Sequence, residues 1–193
     1  MSTTSLIIEI LVIGVFSAAW ILLTLLRLSI PVESVLSASA RIGPLYVVVA
    51  TAALYQLGWL MNGLAHALVS LLFDKPIRDT LFRRETLTYE PVRATVYQKA
   101  SPELRGDLAT DRTVIRLARA GAINFLLIGI LLATFGRPWL ALSGLALLCA
   151  LGSGLQWFCR YRRYYRRMIS AYKVIVDPDL RRPQPHGTKD ALI

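Results

Sequence analysis

Charged residues leave four long gaps in this chain. Asp, Glu, Lys and Arg are missing from Ile10–Leu26, Leu45–Phe73, Ala120–Gly136 and Pro138–Cys159, runs of 17, 29, 17 and 22 residues. An α-helix rises about 1.5 Å per residue, so about 20 apolar residues cross a hydrocarbon core about 30 Å thick. The second run can tilt or extend past the headgroups, while the first and third need flanking residues to complete a crossing. The predicted spans are therefore about 6–26, 45–73, 120–136 and 138–159. A soluble all-α domain of completely buried helices accounts less well for a chain that is 55% hydrophobic and patterned in this way. The expected fold class is all-α: an integral membrane four-helix bundle, with a cytoplasmic connection, 74–119, between the second and third helices and an amphipathic basic extension of the fourth. A single membrane domain, 1–176, is expected to precede a flexible cytoplasmic tail, 177–193, which carries three prolines and little apolar content.

The segment Leu28–Pro44 contains Pro31, a short interfacial helix over Val32–Arg41, and a Gly43-Pro44 break. Within 74–119, the stretch Thr86–Gln98 has partial β character without clean alternation and is left unassigned. Ser101-Pro102-Glu103 has the form of a helix start, Ser as N-cap and Pro at the first position. Gly106 weakens it, so a restart at Thr110-Asp111 is an equal alternative. Gly136-Arg137-Pro138 predicts a tight hairpin that sets the third and fourth helices side by side and antiparallel.

Charge adds orientation. Ten Lys and Arg residues fall in 74–119 and nine after Cys159, against Arg27 and Arg41 in the first connection and Arg137 in the third. The positive-inside rule places the richer side, and with it both ends of this chain, in the cytoplasm of an inner, bacterial plasma membrane. The first span has no Lys or Arg before it, which argues against a cleaved signal peptide. The net charge of +10 concentrates on that cytoplasmic side, where each Lys or Arg near anionic lipid is worth about 1 kcal/mol. Anionic membrane lipid is thus the first expected partner, and nucleic acid is not expected. The two cysteines, Cys149 and Cys159, stand ten helical positions apart and point about 80° away from each other, so no disulfide or metal pair is predicted.

Helix direction and rise bring the polar residues of the spans to one depth. Glu9 lies just inside the cytoplasmic boundary, Asn62 and His66 about 5 and 10 Å to the cytoplasmic side of the second helix's midpoint, and Asn124, Ser153 and Gln156 in the same half. Polar groups in hydrocarbon need partners across helix interfaces. The expected result is an intramembrane polar layer of Glu9, Tyr55, Trp59, Asn62, His66, Asn124 and Gln156. In the second helix, Tyr55, Trp59, Asn62 and His66 share a stripe widened by Gly63, Ala67 and Ser70, and this face is expected to look inward. Small residues four apart, Gly14/Ala18, Gly129/Ala133 and Ala146/Ala150/Gly154, mark places where backbones can approach. His66 reads as a neutral histidine bonded to Asn62, Asn124 or a carbonyl. The sharper reading is a proton acceptor or gate partnered by Glu9. Haem would want a second intramembrane ligand, and His186 sits in the tail, so no cofactor is expected.

A second constellation is basic. Arg112, Arg116 and Arg119 line one face of the run-in to the third span, and Arg160, Arg162, Arg163, Arg166 and Arg167 line the exit of the fourth. Guanidinium groups suit phosphate, so these eight are the candidate site for anionic lipid or an acidic partner. Tyr161, Tyr164, Tyr165, Met168 and Tyr172 on the exit helix suggest a stripe resting on the headgroups. The carboxylates Glu85, Glu90, Glu103, Asp107 and Asp111 read as solvated surface. No phosphate loop, zinc motif or activated nucleophile is present, so neither a catalytic nor a metal-ligating residue is assigned. The expected function is that of a subunit or scaffold of a membrane complex, acting as a homo-oligomer or with a partner. An oligomeric channel or membrane-perturbing effector is the alternative, and a small proton-coupled transporter or lipid-modifying enzyme is third.

Overall fold

The computed structural model describes residues 3–29 and 44–177, and within them the side chains of all but 3–5, 44–46, 70 and 71. The expected interfacial helix at Val32–Arg41, Ser70 as part of a face, His186 and the tail beyond Asp177 lie outside what is described. Every regular element among the described residues is helical: α1 Thr3–Arg27, α2 Pro44–Val69, a π turn Ser70–Asp74, α3 Lys75–Arg84, α4 Tyr89–Lys99, α5 Pro102–Ala133, a 3-10 turn Arg137–Trp139 and α6 Leu140–Val176. Four of them, α1, α2, α5 and α6, are long and apolar enough to cross a membrane.

Local chemistry explains the boundaries. Pro76 cannot donate to the carbonyl four residues back, and its ring crowds that position. The helix widens into a π turn just ahead of it and continues into α3 with Asp74 and Lys75 still helical. Ser101 caps α5, its Oγ accepting from the Leu104 N–H at 3.3 Å. Gly106 leaves α5 unbroken, and the helix runs without restart to Ala133. Gly136, at φ 94°, turns the chain into α6; Ser143 Oγ then donates to the Gly129 carbonyl at 2.7 Å and ties the hairpin.

The segment 89–99, unassigned from sequence, is α4. Its β-branched residues Val92 and Val96 fall with Ala100 on one face, all buried, and tertiary packing outweighs local β preference. That face belongs to the larger of two apolar cores, where α3 and α4 close on the ends of α5 and α6 through Phe82, Leu108, Ile115, Trp157, Tyr161 and Met168. The smaller core, Ile13, Met61, Ala65 and Ala120, joins α1, α2 and α5. Helix α5 packs on α1, α2 and α6.

The packed face of α2 differs from the expected one. Leu54, Gly58, Met61 and Ala65 meet α1 and α5, whereas Trp59 is 59% exposed and His66 and Ala67 are also exposed. The reason lies in backbone approach. A Cβ on Gly58 would sit 1.9 Å from the Ile10 carbonyl oxygen, and one on Gly14 1.9 Å from that of Leu54. Two glycines thus let α1 and α2 cross in backbone contact, and this contact sets the rotation of α2. Of the other small-residue pairs, Gly129, Ala146 and Ala150 are buried in the α5–α6 seam while Ala133 is exposed.

Gly58→Ala should therefore lower stability by about 1–3 kcal/mol through overpacking, whereas Gly144→Ala, whose added methyl meets nothing within 4 Å, should not. Thermal unfolding of both variants in detergent, with size-exclusion profiles, checks this.

Candidate functional site

One face of α5 carries Arg112, Arg116 and Arg119, and each guanidinium is met by a different part of the molecule. Arg116 makes a two-pronged pair with Glu9 of α1, Nε to Oε1 at 2.7 Å and Nη2 to Oε2 at 3.1 Å. The Glu9 residue is 3% exposed. Arg119 Nη1 donates to His66 Nδ1 at 3.0 Å and lies 3.8 Å from Asp74 Oδ2; the same carboxylate oxygen is 3.9 Å from His66 Nδ1. In this geometry His66 Nδ1 accepts, which requires that nitrogen to be unprotonated. Arg112 stacks over Tyr97 and Tyr164 at 5.2 and 5.7 Å.

These three arginines form one wall of a cavity of about 530 Å³. Helix α2 contributes Asn62, Gly63 and His66; the turn after it and α3 contribute Asp74, Lys75 and Arg78; α4 contributes Tyr89, Glu90 and Arg93; and α6 contributes Tyr161, Tyr164 and Tyr165. Six cationic side chains thus face two carboxylates. The tyrosine wall is rigid: the Tyr161 and Tyr165 rings meet edge to face at 4.8 Å, Phe82 packs against both Tyr89 and Tyr165, and Tyr161 donates to the Asp74 carbonyl at 3.1 Å. Three buried polar atoms on the cavity's residues have no partner: Arg119 Nε, Asn62 Oδ1 and Asp74 Oδ1.

Burial raises the Asp74 carboxyl above its ordinary 3.8, with Arg119 and then His66 pulling the other way. The folded chain therefore keeps this proton to higher pH than the unfolded chain. The group favours folding most below pH 3.8, and that contribution is lost as pH rises through the raised value.

The structure brings together Glu9, Asn62, His66, Arg112, Arg116 and Arg119 of the expected site residues, and disperses the others. Asn124 is buried beside α1, its Oδ1 accepting from Ser17 Oγ and Trp20 Nε1, both at 3.1 Å. Gln156 is exposed at a separate groove that it lines with Asn124 and Ser153. Tyr55 is half-buried and Trp59 exposed. The eight arginines are not one cluster. Arg160 and Arg167 turn to Asp111 at 3.3 and 3.0 Å, Arg162 lies 5.3 Å over the Phe158 ring, and Arg163 and Arg166 are exposed.

Two expectations are corrected. Asp111 is not solvated surface: it is 3% exposed, because it neutralises two arginines of the neighbouring helix. Nor do Tyr161, Tyr164, Tyr165 and Met168 lie free for the headgroups; α3 and α4 cover them. Sequence reasoning missed Asp74, Lys75, Arg78, Tyr89 and Arg93. The available signal was Asp74, an acid set two helical turns beyond His66 at the edge of a charge-free run. Among the described residues no three His, Cys, Asp or Glu side chains are grouped as a metal site requires. Comparison with family models, curated proteins and solved structures finds no match.

Breaking a buried pair costs about 3–5 kcal/mol because the remaining charge is stranded. In a double-mutant cycle, Glu9→Gln and Arg116→Gln should each destabilise, with a coupling of about 1–3 kcal/mol measured by denaturant unfolding in micelles. Independent, additive effects would show that the two side chains do not act as a pair.

Proposed function

We propose that this is a four-span protein of the inner membrane, with its basic side and both ends of this chain in the cytoplasm, and that it serves as a binding subunit of a membrane assembly. Its cavity takes an anionic group, a phosphate above all. One observation carries the reading: six cations and two carboxylates face a single cavity of about 530 Å³, a volume within the usual range for small-ligand sites. Planar guanidinium groups pair phosphate oxygens two at a time. Arg116 is paired with Glu9 and Arg78 with Asp79, and Arg119 and Arg93 lie 3.8 Å from Asp74 and Glu90, so that among the described residues Lys75 and Arg112 are the cations of the walls left without a carboxylate. The orientation rests on the asymmetry of nineteen Lys and Arg against three among the connecting segments.

Inorganic pyrophosphate should raise the thermal midpoint of the purified protein, and the gain should shrink as salt screens the site. At a concentration 100 times its Kd the stabilisation reaches about 2.7 kcal/mol. Lys75→Gln/Arg93→Gln, neither side chain being buried, should fold normally and show at least a tenfold weaker response. An equal response in this variant and the parent would remove the cavity as the site. Orientation is tested separately by Gln98→Cys, an exposed position on α4, in a chain with Cys149 and Cys159 changed to Ser. A membrane-impermeant maleimide should label it only in lysed cells.

A further inference from the structure

We infer that the cavity's ligand is an anionic phospholipid of the cytoplasmic leaflet with hydroxyl groups on its headgroup, admitted from the side of α2 at Gly63. The inference rests on the anion-binding reading above and names the ligand's class and route.

The cavity joins two environments. Asn62, Gly63 and His66 belong to a helix apolar enough to cross a membrane, while Lys75, Arg78 and Arg93 belong to the short polar helices beyond it. From Asn62 to Asp74 the chain stays helical, a rise of about 18 Å. A soluble phosphate needs only the polar end. A phospholipid needs both, with its phosphate among cations and its glycerol and chains toward the hydrocarbon.

The wall is open on the apolar side. A Cβ at Gly63 would meet nothing within 4 Å, and the neighbouring outward residues Trp59, Leu60 and Leu64 are 59, 59 and 49% exposed, a surface fit for acyl chains. Gly63 is itself exposed and lines the cavity, so it stands where that surface and the cavity meet.

The unpartnered atoms describe the headgroup. The Arg119 side chain is 7% exposed, and its Nε, a donor, has no acceptor. A phosphate oxygen supplies one. Asn62 Oδ1 and Asp74 Oδ1 are acceptors without donors, and the phosphodiester of a lipid, which carries no proton at neutral pH, cannot satisfy them. Headgroup hydroxyls can. A phosphate bearing a short polyol, as in phosphatidylglycerol, matches both sets; a quaternary ammonium headgroup donates no hydrogen bond and brings a positive charge to a cationic wall.

The test reconstitutes the full chain in phosphatidylcholine nanodiscs containing phosphatidylglycerol and phosphatidylserine at the same few mole per cent and counts retained lipid by native mass spectrometry. Inorganic pyrophosphate and glycerol 3-phosphate binding are measured on the same samples. The expected result is one phosphatidylglycerol per protein, at least tenfold enriched over phosphatidylserine of equal charge. Gly63→Leu should cut that retention at least tenfold while binding pyrophosphate as the parent does. Lys75→Gln/Arg93→Gln should weaken lipid and pyrophosphate together, and this second variant keeps the test open if Gly63→Leu fails to fold. Unchanged lipid retention in folded Gly63→Leu overturns the lateral route. Equal retention of phosphatidylserine overturns the hydroxyl assignment. Binding of glycerol 3-phosphate or pyrophosphate with no retained lipid overturns this inference and leaves the anion site standing, whereas no binding of any anion sinks both.

Discussion

Three arginines on one face of α5 set the condition that the rest of the molecule meets. A guanidinium drawn away from bulk water must find a carboxylate, a hydrogen-bond acceptor or an aromatic face. Arg112, Arg116 and Arg119 each find theirs on a different element: tyrosines of α4 and α6, Glu9 of α1, and His66 of α2 with Asp74 in the turn that follows it. One helix thereby engages every other long helix through charge. Such pairs return little net stability compared with apolar packing, but they supply direction. Leucine and valine faces slide past one another at small cost, and against hydrocarbon they gain little by choosing a partner. A two-pronged Arg116–Glu9 pair is satisfied at one register only. With lipid as the proposed surroundings, these contacts fix how α1 and α2 stand along α5, and the Gly14–Gly58 crossing fixes how near they come to each other.

The second element of the design is length. Helix α6 covers 37 residues and α5 covers 32, about 55 and 48 Å at helical rise, well beyond the thickness of a hydrocarbon core. They are joined at one end by a tight hairpin. Their opposite ends therefore project together, and α3 and α4 close over them to form the larger apolar core. The π turn before Pro76 carries the chain from α2 into α3 without a loop, so that Asp74 arrives buried beside Arg119. The cavity lies where the two packing regions meet, walled by α2 on one side and by α3, α4 and the tyrosines of α6 on the other.

Much of this was legible from residue pattern, and the limits have physical causes. Charge-free runs located the long helices because they depend on composition alone. The Gly136 turn marked the hairpin and Ser101 offered the start of α5, because both are local, although Gly106 left a restart at Thr110-Asp111 equally open. Rotation about each helix axis was not legible. In a run apolar all round, no periodicity marks the buried face, and the polar stripe Tyr55–Trp59–Asn62–His66 suggested the wrong one. Gly58, the residue that decides the matter, acts through Ile10 on another helix. Asp111 failed for a similar reason: its partners Arg160 and Arg167 are some fifty residues away, and a mixed-charge segment reads as surface until a neighbour buries it. The α4 segment was obscured because Val92 and Val96 are β-branched, and only the core they enter makes a helix of them.

An excess of like charge also explains why the cavity stays open. Apolar walls of this size would gain by closing, since each contact formed removes surface from water. Here the walls carry six cations and two acids, and closure would bring guanidinium groups together in a region of lowered dielectric, where repulsion grows. The tyrosines hold several of those cations apart in advance: Arg112 lies over Tyr97 and Tyr164, and Arg78 and Arg93 lie over Tyr89 at 4.9 and 5.9 Å. Side chains ordered before a ligand arrives lose less entropy when it binds. Arg78 gives its edge to Asp79 at 3.0 Å and Arg93 lies 3.8 Å from Glu90, whereas Arg112, its plane committed to ring faces, still has its edge N–H groups to offer. On the proposed reading, a phosphate brings negative charge and oxygen acceptors spaced for those edges at once.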